Sequence, residues 1–321
     1  MRILVLGGTK FLGRAVVDAA VARGHEVTLF NRGRTNPELY GELERLVGER
    51  GGDLAPLRGR SFDAVVDTSG YLPRDVAASC DALANTGRYC FVSSVSVYAD
   101  LSAPVDEGSA VAELGELSAD EVTDESYGAL KALCERAVVD AFGDRALVVR
   151  PGLIAGPHDP TGRFTYWPHR VARGGEVLAP APAESPLQAI DARDLGAWIV
   201  SACELGMSGV YNATHPGFTW AELLDGCLEA AATEAHVTWV ASEFLAEHEV
   251  GEWMELPLWV ASPAFDGIHR VDVSRALAAG LACRRLAETA RAALADAAPH
   301  DGAGLAPERE AALVAEWHGR G

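Results

Sequence analysis

Short apolar runs that alternate with helical segments restrict how this chain can fold more than any other feature. RILVL (residues 2–6), EVTLF (26–30), FDAVVD (62–67), RYCFVSS (88–94) and RALVVR (145–150) are each short and apolar. Between them lie FLGRAVVDAAVARG, which reads as a helix ending at Gly24, and PELYGELERLV, which reads as a helix with Pro37 in its first turn. The stretch after Pro73 and SYGALKALCERAVVDAF read as two further helices. Strands that are apolar throughout, rather than at alternate positions, belong to a parallel sheet covered on both faces. The expected class is α/β, a doubly wound parallel sheet. After Pro151 the pattern changes: prolines, glycines and aromatics gather, and all seven tryptophans lie at or beyond Trp167. Residues 1–155 are therefore expected to form the sheet domain, completed by elements near 186–215 that include GVYNATH. Residues 156–321 are expected to form a smaller, irregular portion mainly for substrate. The only biased tract is a small Ala/Gly/His stretch near Pro299.

The first apolar run enters GGTKFLG, and a helix follows at once. Strand, glycine turn and helix start form a dinucleotide-binding loop of the Rossmann type, in which backbone N–H groups at a helix N-terminus meet a pyrophosphate. Gly7 and Gly13 keep the outer spacing, with Thr9, Lys10, Phe11 and Leu12 between them as cofactor contacts. Lys10 stands where the common fingerprint has its middle glycine. NAD-binding units place a carboxylate at the end of the second strand to accept from the ribose 2′-OH. Here the strand ends at Asn31, followed by Arg32 and Arg34. Without the carboxylate and with cations present, NADP(H) is expected, and NAD(H) is the other option; Lys10 joins the arginines around the 2′-phosphate. Asp53 is read either as an adenine contact or as a turn residue.

Tyr127 and Lys131, four apart on a helix, face one side. A phenol is a weak acid–base group near neutrality unless a neighbouring cation favours the phenolate, so Tyr-x-x-x-Lys is a proton-relay arrangement. Upstream, Ser93, Ser94 and Ser96 end a strand beside the expected crevice.

The order of glycine loop, SSVSVY, YGALK, RPGLIAGP, IDARDLGAWI, GVYNATHP and VDVSRALAAGL resembles the extended short-chain dehydrogenase/reductase family, the NAD-dependent epimerase/dehydratase type, over nearly the whole chain. The lysine in the loop resembles bacterial reductase-like, isoflavone-reductase-like members. The resemblance implies that Ser94 polarises the substrate, Tyr127 moves its proton, and Lys131 lowers the pKa of Tyr127 and holds the nicotinamide ribose. It further implies that Pro151 and Leu153 line the nicotinamide, and that Asp67, Thr68, Ser69 and Gly70 pass beneath the phosphates and ribose. Family dehydratases carry an Asp-Glu pair after the serine; Val95 and Ser96 stand there instead, so elimination is not expected. Ser96 is left as a substrate contact or a strand-end cap. His158, Arg163, Tyr166, Trp167 and Trp253 are candidate substrate-pocket residues, and for Trp253 packing in a core or lid is the competing role. No metal site is expected from the histidine spacing.

The expected function is an NADP-dependent reductase of a carbonyl, conjugated or imine bond in a small metabolite, with hydride transfer and a Ser-Tyr-Lys mechanism. The alternatives are an NAD-dependent NDP-sugar epimerase and, from another class, a non-catalytic dinucleotide-binding or RNA-associated protein. A formal net charge of −19 opposes nucleic-acid and anionic-membrane partners. Six scattered cysteines without a close pair suit a reduced, cytoplasmic setting. A small-molecule substrate is the expected partner. Homodimers are common in the family, though nothing in this sequence shows one.

Overall fold

The computed structural model describes residues 1–296 and 303–320; the stretch around Pro299 lies outside the described residues. Six strands open the chain: β1 (Arg2–Leu6), β2 (Glu26–Asn31), β3 (Glu44–Val47), β4 (Ala64–Asp67), β5 (Tyr89–Val92) and β6 (Ala146–Pro151). Three helices lie among them: α1 (Leu12–Ala22), α2 (Pro73–Ala82) and α3 (Tyr127–Phe142). The six strands and the later strand Gly209–Ala213 form one seven-stranded sheet, parallel throughout, in the order 209–213, β6, β5, β4, β1, β2, β3. The order reverses between β1 and β4, so the carboxyl ends of these two strands open a crevice there.

Both faces of the sheet are buried. Ile3 and Val5 of β1 join a core with Val16 and Val17 of α1 and Leu195 and Ile199 of the helix Ala192–Glu204. Leu4 and Leu6 point the other way, into a core with Val76 of α2 and Val138 of α3. Alternate residues fill opposite cores, which is why the strand reads as one apolar run. A third core is built almost wholly from later residues, including Trp167, Trp220 and Phe244. Among the described residues no helix is long and apolar enough to cross a membrane.

One expected helix is absent. In PELYGELERLV residues 37–43 form turns and the last four residues are the strand β3. Asn36 and Tyr40 have φ of 43° and 58°, which interrupts a right-handed helix, and Arg45 folds back onto the carbonyls of Pro37 (2.7 Å) and Leu39 (2.5 Å). Pairing of Leu46 with Phe30 outweighs the helical spacing of the apolar residues.

α1 and the helix Ala192–Glu204 approach backbone to backbone at Gly196. A Cβ there would lie 2.7 Å from the Ala15 carbonyl carbon. Gly196→Leu is expected to destabilise the protein by about 1–3 kcal/mol through overpacking, read as a lower urea midpoint. An unchanged midpoint would show that the seam can open without cost.

Candidate active site

A cleft of about 620 Å³ opens at the point where the strand order reverses. Its floor is the loop after β1. Gly7 and Gly8 have φ of 108° and 89°, and a Cβ on Gly7 would stand 2.7 Å from Thr68 Oγ1. A Cβ on Gly13 would stand 2.8 Å from the Gly8 nitrogen, so α1 starts hard against the loop. This bare backbone at a helix N-terminus fits a pyrophosphate. Lys10 is absent from the residues of positive φ, so its position does not demand glycine, and its side chain is exposed at the cleft wall.

Of the expected cofactor residues, Gly7, Thr9, Lys10, Phe11, Leu12, Gly13, Asn31, Arg32, Arg34, Thr68, Ser69, Lys131 and Pro151 line the cleft. Asn31 ties the end of β2 to the loop: Nδ2 donates to the Gly7 carbonyl (2.9 Å) and Oδ1 accepts from Gly33 N–H (2.9 Å). Arg32 lies 3.7 Å from Glu49, both more than half exposed.

Four expected contacts stand elsewhere; Gly70 is one of them, its carbonyl taken by Lys131. Asp53 accepts from Ala55 N–H (2.8 Å) and serves the turn that follows it. Its place in the wall is taken by Gly48–Gly51, the loop after β3. Asp67 is fully buried below the wall; Arg50 grips it with two bonds (2.5 and 2.7 Å), and Tyr89 Oη (2.8 Å) and Ser69 N–H (3.1 Å) donate to it. Leu153 packs toward the third core, and its neighbours Gly152 and Ile154 line the cleft instead.

Ser94, Tyr127 and Lys131 meet in the same wall. Ser94 leaves β5 in extended backbone; its Oγ accepts from Ser96 N–H (3.1 Å) and donates to Ser96 Oγ (3.1 Å). Ser94 thus caps the turn Val95–Val97, and Ser96 lies inside that turn and outside the cleft lining. α3 is anchored by a buried pair: Arg150 of β6 donates to Glu135 (2.9 and 2.6 Å) and to Tyr98 Oη (3.2 Å), and Tyr98 donates to Asn212 (2.6 Å). That anchorage fixes the helix face that carries Tyr127 and Lys131.

Burial pushes the Tyr127 phenol above its ordinary pKa, opposed by Ser94 and by the charge of Arg163. Lys131, 3% exposed, donates to the carbonyls of Gly70 and Val92 (2.7 Å each) and stands 4.2 Å from the Phe91 ring centroid. Burial lowers its pKa to about 8, although Asp67 acts in the opposite direction. The sequence reading has Lys131 as the cation that tunes Tyr127; in the structure both side chains line the cleft, and the Lys131 ammonium has two backbone partners.

The expected substrate residues divide. Tyr166 and Trp167, 3% and 0% exposed, belong to the third core, where Trp167 donates to the Pro257 carbonyl (3.0 Å) and packs edge-on against Trp220. They face inward because their short helix, Tyr166–Ala172, lays its apolar side on that core. His158 lies 3.1 Å from Asp296 and is outside the cleft lining. The Arg163 guanidinium lies over the Trp253 ring, 5.7 Å from its centroid, and neither residue is part of the cleft lining. Gly152, Ile154, Tyr71 and the 48–51 loop were not foreseen; the glycines flanking Glu49 and Arg50 were the available signal, hidden by reading residues 37–47 as a helix. Among the described residues no group of three or more His, Cys, Asp and Glu side chains is placed to hold a metal ion.

Asp67→Asn is expected to cost about 3–5 kcal/mol near neutral pH, because it leaves Arg50 buried without its counter-charge. Burial alone would raise the Asp67 pKa, but Arg50 holds it below the usual carboxylate range. Its stabilisation is therefore complete above the unfolded value of about 3.9 and is lost as pH falls through the folded one. Urea unfolding at pH 7 and pH 3.5 should show the gap between wild type and variant narrowing in acid; a constant gap would remove the carboxylate from the acid dependence.

Comparison with known proteins places these features in context. The family model described as "NAD dependent epimerase/dehydratase family" matches residues 58–213. The chain is 33% identical over 189 residues to the 2-alkyl-3-oxoalkanoate reductase of Stenotrophomonas maltophilia, covering 50% of this chain and 52% of that one. It is 33% identical over 162 residues to the 2′-dehydrokanamycin reductase of Streptomyces kanamyceticus (48% and 43%). It is 30% identical over 113 residues to the chloroplast stem-loop binding protein of 41 kDa b of Arabidopsis thaliana (30% and 30%). The chain thus spans about half the length, or less, of the curated relatives it matches. In fold it is similar to the Bordetella bronchiseptica enzyme WbmH in complex with NAD+ (TM-score 0.66, 19% identity, 92% and 97% covered). It is likewise similar to human epimerase family protein SDR39U1 with NADPH (TM-score 0.61, 23%, 91% and 98%).

Proposed function

The chain belongs to the NAD-dependent epimerase/dehydratase family of extended short-chain dehydrogenases/reductases, and on that premise we propose that it is an NADP-dependent reductase of a ketone in a small metabolite. The observation that carries the reading is the meeting of Ser94, Tyr127 and Lys131 in the wall of a cleft whose floor is a glycine loop. Two relatives that are reductases by name support the direction of the chemistry, and one of those names includes an oxo acid.

NADPH, when bound, supplies the hydride. Ser94 Oγ holds the substrate oxygen by a hydrogen bond, and the Tyr127 hydroxyl donates the proton that the oxygen needs as its carbon is reduced. Burial keeps that phenol protonated at neutral pH, which suits a donor. Lys131 holds the floor together through Gly70 and Val92, and with a pKa near 8 it can pass a proton on as Tyr127 is re-protonated. Lys10, Arg32 and Arg34, with no carboxylate at Asn31, favour a 2′-phosphate.

Tyr127→Phe keeps the ring but removes the transferable proton. Turnover of NADPH with a reducible ketone should fall about 10²–10⁴-fold with little change in NADPH affinity; near-normal turnover would overturn the role. Arg32→Ala should weaken NADPH binding by about tenfold, less than a buried charged bond because the side chain is exposed, and should leave NADH binding almost unchanged. Equal losses for both cofactors, measured by nucleotide fluorescence titration, would reject the 2′-phosphate assignment.

A further inference from the structure

A carboxylate is missing from the end of β2 but stands beside it. Glu49 and Arg32 both line the cleft, and their side chains, each 58% exposed, lie 3.7 Å apart. Glu49 belongs to the loop after β3, the strand that pairs with β2 as far as Asn31 and Val47. Asn31, which ends β2, uses both polar ends of its side chain on backbone groups of Gly7 and Gly33. The hydroxyl acceptor usual at this corner of the fold therefore has its counterpart one strand over.

The loop that carries Glu49 is fixed on both sides. The Gly48 N–H donates to the Asn31 carbonyl (3.2 Å), and a Cβ on Gly48 would stand 2.6 Å from both the Phe30 ring and the Asp53 carbonyl oxygen, so the chain lies flat against β2 there. On the other side Arg50 is held by Asp67 (2.5 and 2.7 Å). Glu49, between these two anchors, is the exposed residue beside Arg32. The remaining carboxylate of the lining, Asp75 in α2, lies 3.5 Å from Arg74. An exposed ion pair is weak and readily exchanged, so Arg32 is not committed to Glu49. A phosphate monoester carries about −1.5 to −2 charges near neutrality and draws a guanidinium more strongly than one carboxylate does. A ribose hydroxyl is uncharged and needs an acceptor, which Glu49 is and Arg32 is not.

We infer that Glu49 sets the balance between the two nicotinamide cofactors: with NAD(H) it accepts from the ribose 2′-OH, and with NADP(H) it releases Arg32 to the 2′-phosphate and opposes that phosphate by its own charge. This rests on the NADP reading and refines it. The preference becomes a difference between the cations Lys10, Arg32 and Arg34 and the carboxylate Glu49, in place of a complete exclusion of NAD(H).

The test is titration of wild type, Glu49→Gln and Glu26→Gln with NADPH and, separately, with NADH, followed by nucleotide fluorescence at low ionic strength, where exposed charges act most strongly. Glu49→Gln should bind NADPH about three- to tenfold more tightly and NADH about three- to tenfold more weakly, because a like charge is removed in the first case and a charged acceptor in the second. The tighter NADPH binding also reports that the variant is folded. Glu26→Gln removes the same charge at the opposite end of β2 and should leave both affinities unchanged. An NADPH-to-NADH affinity ratio that Glu49→Gln moves no more than Glu26→Gln does, or an equal loss of both cofactors, would overturn the inference. The two readings fail separately. A wild type that binds NADH more tightly, and loses that preference in Glu49→Gln, would reject the NADP reading and leave Glu49 in its role. A wild type that prefers NADPH by a ratio that Glu49→Gln leaves unaltered would reject the role of Glu49 and leave the NADP reading standing.

Discussion

Every other feature of the site depends on how closely the start of α1 lies to the glycine loop. A single carbon on Gly13 would meet the Gly8 backbone at 2.8 Å, and one on Gly7 would meet Thr68 at 2.7 Å. Because no side chain intervenes, the N-terminal N–H groups of the helix face the crevice between β1 and β4, where strands run to opposite sides. The ends of β2, β3, β5 and β6 then deliver Asn31, the 48–51 loop, Ser94 and Pro151 around the same opening. The position usually held by a third glycine needs none, and Lys10 adds a cation at the mouth of a chain that is strongly acidic elsewhere. A local positive rim on a negative body draws an anionic ligand to that mouth and repels it from other surfaces.

The buried charges beneath the cleft follow one rule with one departure. Asp67 is matched by Arg50 and Glu135 by Arg150, each through two hydrogen bonds, so neither carboxylate is left unsatisfied. Lys131 has carbonyls for partners instead of a carboxylate. Burial brings its pKa down to about 8, where a modest change in surroundings alters its charge. The fold thus separates charges that hold elements together from one that is able to change.

Much of this was legible in the sequence. Apolar runs without alternation gave away a two-faced parallel sheet, and the spacing of Tyr127 and Lys131 placed both on one helical face whatever that helix packed against. The failures share a cause, because local spacing carries no information on which core a side chain faces. Tyr166 and Trp167 sit beside the cleft in sequence but belong to a core assembled from residues up to Val314. Asp53 serves a turn, the second of its two expected roles, and the wall is lined instead by residues 48–51, which follow an edge strand, residues 44–47, that pairs with β2 and reads in the sequence as the end of a helix.

The sheet is not made from a contiguous piece of chain. Its outermost strand is Gly209–Ala213, one of its covering helices begins at Ala192, and Ala276 and Leu281 close the same core. A ribosome that has released the first 155 residues has therefore delivered every nucleotide-facing element of the sheet but not the layer that covers it. Until about residue 281 emerges, the α1 face of the nascent sheet stays wet, and the cofactor cleft matures late in synthesis even though it is encoded first.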